Sequence, residues 1–474
     1  MSFDILDNLS IKLIDGDRGK NYPKQSDFFD KSDCLFLSAK NVTKAGFEFT
    51  DCSFISKEKD QQLRAGKLER NDIVLTTRGT IGNSALYDSS VSISSVRINS
   101  GMIILRPDTN IWNPRFLYFL LNSDFVLQQI SALTSGSAVP QLPARDLKKF
   151  ILPRVSLDKQ HKIVEIIGSI VDKIRVSKAI NQTLEQMAQT LFKSWFVDFE
   201  PVKAKIAALE TGGSQEDATL AAMTAINGKD TDALVVFERE HPEQYAELKA
   251  TAELFPSAMQ DSELGEIPEG WNVSNIKDNV DVRDGTHASP KASDSGYHLV
   301  TSKNITSGYL DRRSCYYISD ADYNDVNKRS RVSCGDILIS MIGTVGALYF
   351  VAENNVDYAI KNIGLIRTSE RHDLQAFIFY HLKSKEGANY IQSRLAGTTQ
   401  KYLSLKQLRE IPLVMPTQDV LAAFNKKTFL HEIHANQEIA ETLASIRDTL
   451  LPKLLSGEIT LPEAEQAVSE AENV

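Results

Sequence analysis

Cysteine is scarce: Cys34, Cys52, Cys315 and Cys334 are the four in 474 residues. No two are spaced as Cys-x-x-Cys, which leaves no basis for a zinc ribbon or a small disulfide scaffold. Long apolar runs are missing too. The strongly apolar run Ile337 to Ala352 is shorter than the ~18–20 residues a membrane helix needs, and it carries Gly343, Thr344 and Gly346. No membrane partner is expected. Met1 to Lys12 has no basic stretch followed by an apolar one, so no secretory signal is expected, and the expected compartment is the cytoplasm. Motifs that carry chemistry are absent as well. There is no Gly-x-x-x-x-Gly-Lys and no Gly-x-Gly-x-x-Gly to cradle a phosphate. His431-Glu432-Ile433-His434 lacks the His-Glu-x-x-His spacing of a zinc protease and reads as a solvated helix face. Asn113-Pro114 reads as a helix start, with proline in the first turn. No catalytic residue and no metal site is expected.

The length exceeds the ~250–300 residues at which single cores stop growing, so two to four domains are expected. Apolar residues at 42% and charged residues at 24% give a globular composition. The net charge of −9 is unevenly spread. Residues 1–155 carry +3, 156–199 carry +1, 200–270 carry −10, 271–415 carry +3 and 416–474 carry −6. The two large blocks are mildly basic, which permits contact with phosphates without demanding it.

The chain is written twice. Leu37-Ser-Ala-Lys40-Asn41-Val42 returns as Val300-Thr-Ser-Lys303-Asn304-Ile305, and Cys52-Ser-Phe54-Ile55-Ser56 as Cys315-Tyr-Tyr317-Ile318-Ser319. Asp72 to Leu75, followed by Gly79-Thr80-Ile81-Gly82, returns as Asp336 to Ile339, followed by Gly343-Thr344-Val345-Gly346. Gly136 to Leu142 matches Gly397 to Leu403. The offsets stay between 261 and 264, which chance matches would not do. Short branched runs predict strands at Asp72–Leu75, Ile98–Leu105, Asp336–Ile339 and Ala359–Ile366, and helices are predicted over Pro114–Leu133 and Leu374–Leu395. Each copy is an α+β globule of about 150 residues, within the usual range of a domain.

A long amphipathic helix follows each copy. Ile163, Ile167, Ile170, Ile174, Ser177, Asn181, Leu184, Ala188, Leu191 and Trp195 alternate spacings of four and three, the seam of a coiled coil. Ala422, Lys426, Phe429, Ile433, Asn436, Ala440, Leu443, Arg447, Leu450 and Leu454 fall 259 positions later, with Lys426 and Arg447 interrupting the stripe. Asn181 and Asn436 are polar seam residues of the kind that fix register. Two such helices paired antiparallel would act as a spacer and relate the globules by a pseudo-two-fold axis. Residues 200–265, rich in Ala and Glu with Gly212-Gly213-Ser214, have no counterpart after the second helix and read as a partly helical, solvated linker.

What remains is a duplicated reader on paired helices. Candidate contacts are polar side chains on loops. In the first copy these are Arg18, Lys20, Tyr22 and Lys24 in a Gly-punctuated loop, then Lys40 and Asn41, then Thr76, Thr77 and Arg78. In the second they are Arg283, Thr286, His287 and Lys291, then Lys303 and Asn304, then Ser340, then Thr398, Thr399, Gln400 and Lys401. The copies agree in their Gly, Ile and Leu residues and differ at these positions apart from the shared Lys-Asn pair. A kept framework with altered tips suits two readers of different short sequences.

This organisation resembles the specificity subunit of type I restriction–modification enzymes. The resemblance spans nearly the whole chain. It is most specific at Leu191-Phe-Lys-Ser-Trp195-Phe-Val-Asp-Phe199, at Glu263-Leu-Gly-Glu-Ile-Pro-Glu-Gly-Trp271 and at Leu450-Leu-Pro-Lys-Leu-Leu-Ser-Gly457. The first copy departs from it by lacking the tryptophan-containing lead-in seen at Trp271. The resemblance implies a target-recognition domain at 1–155, a spacer helix at 156–199, an acidic insert at 200–265, a second recognition domain at 266–415, a second spacer helix at 416–458 and an acidic tail at 459–474. It implies that each domain reads one half of a split site on double-stranded DNA. It also implies that the chain docks two methyltransferase subunits and two restriction–translocation subunits. S-adenosylmethionine, ATP and magnesium would then be held by those partners, and none by this chain. A helical scaffold that organises partner proteins without touching DNA is the alternative, and turnover by the purified chain alone would reveal an enzyme instead.

Overall fold

The branched runs that recur in the sequence become the central strands of matching sheets in the computed structural model. The structure describes residues 2–134, 141–306, 308–312, 314–397, 401–456, 458–464 and 466. The chain divides into two units, Met1–Ser177 with Ile439–Val474, and Lys178–Glu438.

In the first unit four strands lie in the order Ile11–Asp15, Met102–Pro107, Asp72–Thr76, Ser84–Tyr87, each antiparallel to its neighbour. A second sheet orders Phe54–Ile55, Cys34–Leu37 and Val96–Ile98, the last pair parallel. Asp72–Thr76 is buried at every position. Successive side chains point to opposite faces of a strand. Ile73 and Leu75 therefore join one apolar cluster, with Phe116, Leu120 and Ile167, while Val74 joins another, with Leu35 and Ile98.

The second unit repeats this plan. Its four-stranded sheet orders Val282–Asp284, Ile363–Ile366, Ile337–Ser340 and Leu348–Phe350, and its three-stranded sheet Tyr316–Ile318, Tyr297–Thr301 and Tyr358–Lys361, with the same senses of pairing. Ile337 and Ile339 pack on one face and Leu338 on the other. The ribbon Ser2–Ile5 with Ile151–Arg154 matches Asn272–Asn275 with Pro412–Met415.

Some expected elements are divided. Ile98–Leu105 is two strands in two sheets, separated by a turn at Asn99–Gly101. Ala359–Ile366 is likewise two strands, broken at Asn362, which takes a φ of 55°. Asparagine tolerates that left-handed conformation better than the branched residues around it. The expected helices divide as Pro114–Leu121 and Asp124–Thr134, and as Gln375–Lys383 and Lys385–Ser393. Ser384 caps the last of these by accepting from Gly387 N.

The first long helix runs Leu157–Phe196. Within the first unit, Ile163, Ile167, Ile170 and Ile174 are buried in one cluster with Ala440, Leu443, Leu450 and Leu454. Within the second, Ala188 and Trp195 are buried with Phe424 and Leu430, while Leu184 and Leu191 are half-buried. Asn181 Nδ2 donates to Ile433 O at 2.7 Å, and Asn436 Nδ2 donates to Asn181 Oδ1 at 3.0 Å.

The second spacer helix is not the single rod expected over 416–458. Gln418–Asn425 is a separate helix, and the long one starts at Leu430, just after the half-buried Phe429. Ala422 and Lys426 are exposed and leave the seam. The chain turns between them because Phe424 and Leu430 both enter the same core. The units are divided inside both long helices, since each globule packs on the half-helices beside it.

The insert is a folded piece rather than a solvated linker. Helices Glu200–Glu210, Gln215–Asn227, Thr231–Glu240 and Pro242–Glu253 close on a core of Ala222, Met223, Leu234, Leu248 and Ala252. Small alanine faces let these helices approach. The hairpin Met259–Ser262 with Gly265–Pro268 follows, and Phe255, Ile267 and Trp271 join the main core of the second unit. Ala464, in the expected acidic tail, is buried in the first unit.

Candidate nucleic-acid interface

The strand registers decide which loops meet. Asp15 ends its strand opposite Ile103, Thr76 opposite Met102, and Leu37 opposite Ile98. The loops after Asp15, Leu37 and Thr76, and the turn at Asn99–Gly101, therefore gather at one end of the first unit. Gly16 is required there, because a Cβ would meet Asn99 O at 2.0 Å. Asp17, almost buried, accepts from Gly19 N and Arg64 N, both at 2.7 Å. These backbone donors hold its carboxyl below the ordinary range and pin the loop that follows.

On this base stand Arg18, Lys20, Lys24, Lys40 and Arg78, all exposed. Arg18 reaches Asp15 at 3.3 Å and Ser100 O at 3.4 Å. Lys40 pairs with Asp51 at 2.8 Å in solvent, which raises its affinity for the proton. Arg78 lies beside Gly101. Tyr22 turns inward and meets the ring of Phe36 edge-on at 5.7 Å.

Five more candidates do not face outward. Asn41 is buried: its Oδ1 accepts from Ser38 N at 2.9 Å and Ser38 Oγ at 3.0 Å, and its Nδ2 donates to Glu48 O at 3.0 Å and Asp51 O at 2.8 Å. All the bonding capacity of the amide is used inside the fold. Asn304 repeats the arrangement, accepting from Thr301 N and Oγ1 at 2.8 and 2.7 Å and donating to Ser314 Oγ at 2.8 Å. Thr76 is buried, and its hydroxyl donates to Thr80 O. Ser340 does the same to Thr344 O and accepts from Ala347 N at 2.9 Å. These two hydroxyls brace the Gly-Thr-Ile-Gly and Gly-Thr-Val-Gly turns. They are framework residues and not the DNA contacts expected of them. Thr77 is buried as well.

The second unit gathers the matching loops. Asp284 stands opposite Gly364, Ser340 opposite Ile363, and Thr301 opposite Lys361. Gly285 is required as Gly16 is, since its Cβ would meet Ile360 O at 2.4 Å. The buried Asp284 holds Arg329 and accepts from His287 Nε2 at 3.0 Å, and His287 Nδ1 faces Asn362 Oδ1 at 2.9 Å. Thr286 is half-buried and bridges to Lys361. Lys291, Lys303 and Lys401 are exposed, and Arg283 is exposed but tied to Asp281 at 2.9 Å. Thr398, Thr399 and Gln400 lie outside the described residues. Sequence reasoning missed Arg329, Lys361, Asn362 and Tyr402. The Lys-Asn pair at 361–362, inside a run read as one strand, was the available signal. Lys361 Nζ donates to Ser289 Oγ at 2.6 Å, and Tyr402 bridges to Ile342.

Each unit thus presents exposed cations on a rigid, glycine-anchored edge. Among the described residues no cluster of His, Cys, Asp and Glu could hold a metal ion, and no helix is long and apolar enough to cross a membrane. A family model, the type I restriction modification DNA specificity domain, matches residues 14–186 and again 268–455. The chain belongs to this family. The two matches fall on the two copies of the repeat. The type I restriction enzyme HindI specificity subunit of Haemophilus influenzae is 28% identical over 459 residues, 94% of this chain and 98% of its own length. The MjaIX specificity subunit of Methanocaldococcus jannaschii is 24% identical over 408 residues, 83% of this chain and 79% of its own. A solved type I S subunit from M. genitalium aligns with 96% of this chain and 95% of its own at a TM-score of 0.48 and 12% identity. As a type I DNA specificity subunit, the chain belongs to a non-catalytic class, and a scaffold that never meets DNA is not favoured.

Proposed function

We propose that each copy of the specificity domain reads one half of a bipartite duplex target. The carrying observation is that both copies raise glycine-anchored loops at the same end of matching sheets, sharing Lys40 and Lys303 but otherwise bearing different side chains: Arg18, Lys20 and Arg78 in one, His287 and Lys401 in the other, with Lys361 at the adjoining strand end. Phosphate contacts fix position, and side chains on base edges carry the sequence. The helical segments that run from one copy to the other set the unread interval. The chain works in the cytoplasm and docks two methyltransferase and two restriction–translocation subunits. Those subunits bring S-adenosylmethionine, ATP and magnesium, and this chain contributes recognition alone.

Exchange of residues 1–155 for another recognition domain tests the reading. Mapping of methylated adenines in cells carrying the complex should show one half of the target changed and the other kept. An unchanged target, or one altered in both halves, would overturn it. Binding of the complex to its target should also fall by orders of magnitude between ~50 and ~200 mM salt.

A further inference from the structure

A second group of polar side chains lies away from the reading edge, where the long helix Leu430–Ser456 meets the second recognition domain. His434 is 9% exposed, against the solvated face expected from the sequence. Its Nε2 lies 3.0 Å from the hydroxyl of Tyr349, on the edge strand Leu348–Phe350. The Tyr349 hydroxyl donates to Glu353 Oε2 at 3.0 Å. Arg312 Nη2 reaches Glu353 Oε1 at 2.8 Å, and Arg312 Nη1 reaches Asp357 at 3.2 Å. A hydroxyl has one proton and the carboxylate only accepts, so Tyr349 gives its proton to Glu353 and must accept from His434 Nε2–H. The donors run in one direction, from the helix to the domain.

The path continues to the reading edge. Arg312 belongs to the loop whose Ser314 accepts from the buried Asn304, and Asp311 N donates to Asn304 O at 2.8 Å. Asn304 is next to the exposed Lys303. Among the described residues the first unit has no such path. Strand registers put Ala85 where Tyr349 stands, and the seam offset puts the exposed Arg175 where His434 stands.

We propose that His434 is a positioning residue for the second recognition domain: through Tyr349, Glu353 and Arg312 it fixes the attitude of that domain's reading edge on the helix that carries it. This rests on the reading that each domain takes one half-site. Hydrogen-bonded networks of this kind specify one arrangement when every member is satisfied. Burial disfavours the protonated ring, Glu353 and Glu438 pull the other way, and His431 and Arg312 oppose the charge again, for a net lowering. The neutral form is therefore the one the fold selects. Its contribution is complete above the ~6.5 of a free histidine and is lost as pH falls.

The experiment uses the assembled complex on duplexes carrying its methylation-mapped target, or that target with one half scrambled. A domain exchange first assigns the halves. If the exchange does not alter one half alone, the half-site reading fails whatever His434 does. If it does, His434→Ala should cut the penalty for scrambling the second half about fivefold, the worth of one hydrogen bond, and leave the first-half penalty unchanged. His434→Gln, which keeps a donor for Tyr349 and cannot titrate, should restore discrimination and abolish its decline as pH falls below ~6.5. Equal loss on both halves, no loss on either, or a pH decline that persists in His434→Gln would overturn the proposal. Should His434→Ala fail to fold, the glutamine variant decides by the pH profile alone.

Discussion

Adjacent residues at the reading edge have opposite roles. Lys40 and Asn41 form a pair that recurs as Lys303 and Asn304. The short turn Ala39–Asn41 sends the lysine out and the asparagine in. Asn41→Ala removes the acceptor shared by Ser38 N and Oγ and the donor to two part-buried carbonyls, so it should cost about 2 kcal/mol of stability. Lys40→Ala should cost less than about 0.5 kcal/mol, because its ion pair with Asp51 is exposed, and should weaken duplex binding uniformly across sequences. Urea melts and salt-titrated binding separate the two. The pair was legible in the sequence as a repeat, yet the division of labour was not. Asn41 spends its amide on Glu48 and Asp51, and only folding brings those carbonyls to it.

At the scale of elements, the apolar spacing from Ile163 to Trp195 falls inside the helix Leu157–Phe196, and burial then separates its seam positions. Leu443 is 4% exposed, while Leu184 is half-buried. Leu443→Asp strands a charge in a dry cluster and should cost several kcal/mol. Leu184→Asp should cost clearly less, since the carboxylate can turn to water. Thermal unfolding and methylation by the assembled complex check the order; equal losses would mean that the two sites are equally dry. The end of the first element was legible because Leu191 to Phe199 concentrates aromatic residues, which close on Phe255, Trp271 and Phe424. The break before Leu430 was not legible. Lys426 interrupted the stripe without showing that the chain turns there, and what turns it is the shared core of Phe424 and Leu430.

The whole molecule carries a duplication whose two copies are elaborated differently. The second unit adds the acidic helices of the insert, which its composition presented as a solvated linker. Their core of Ala222, Met223, Leu234, Leu248 and Ala252 argues otherwise. Limited proteolysis of the native chain should leave residues 200–253 intact on the timescale of the recognition domains, with mass spectrometry locating the first cuts. Early cleavage within Gln215–Asn227 would contradict a packed insert. Lys205, buried with its ammonium on Phe255 O at 2.6 Å, ties the first of these helices to the chain beyond the last one.

The sequence alone determined the duplication, the α+β character of each copy and the apolar periodicity of the long helices. These are periodic signals, carried by residues near one another along the chain. The tertiary structure decided which polar side chains face water. Asn41, Thr76, Asn304, Ser340 and His434 are all as polar as the residues that reach the surface. The partners of the first four lie within ten residues along the chain and reach them only once the turns have folded, and the partner of His434 comes from the strand Leu348–Phe350, so polarity and spacing alone do not mark which side chains are buried.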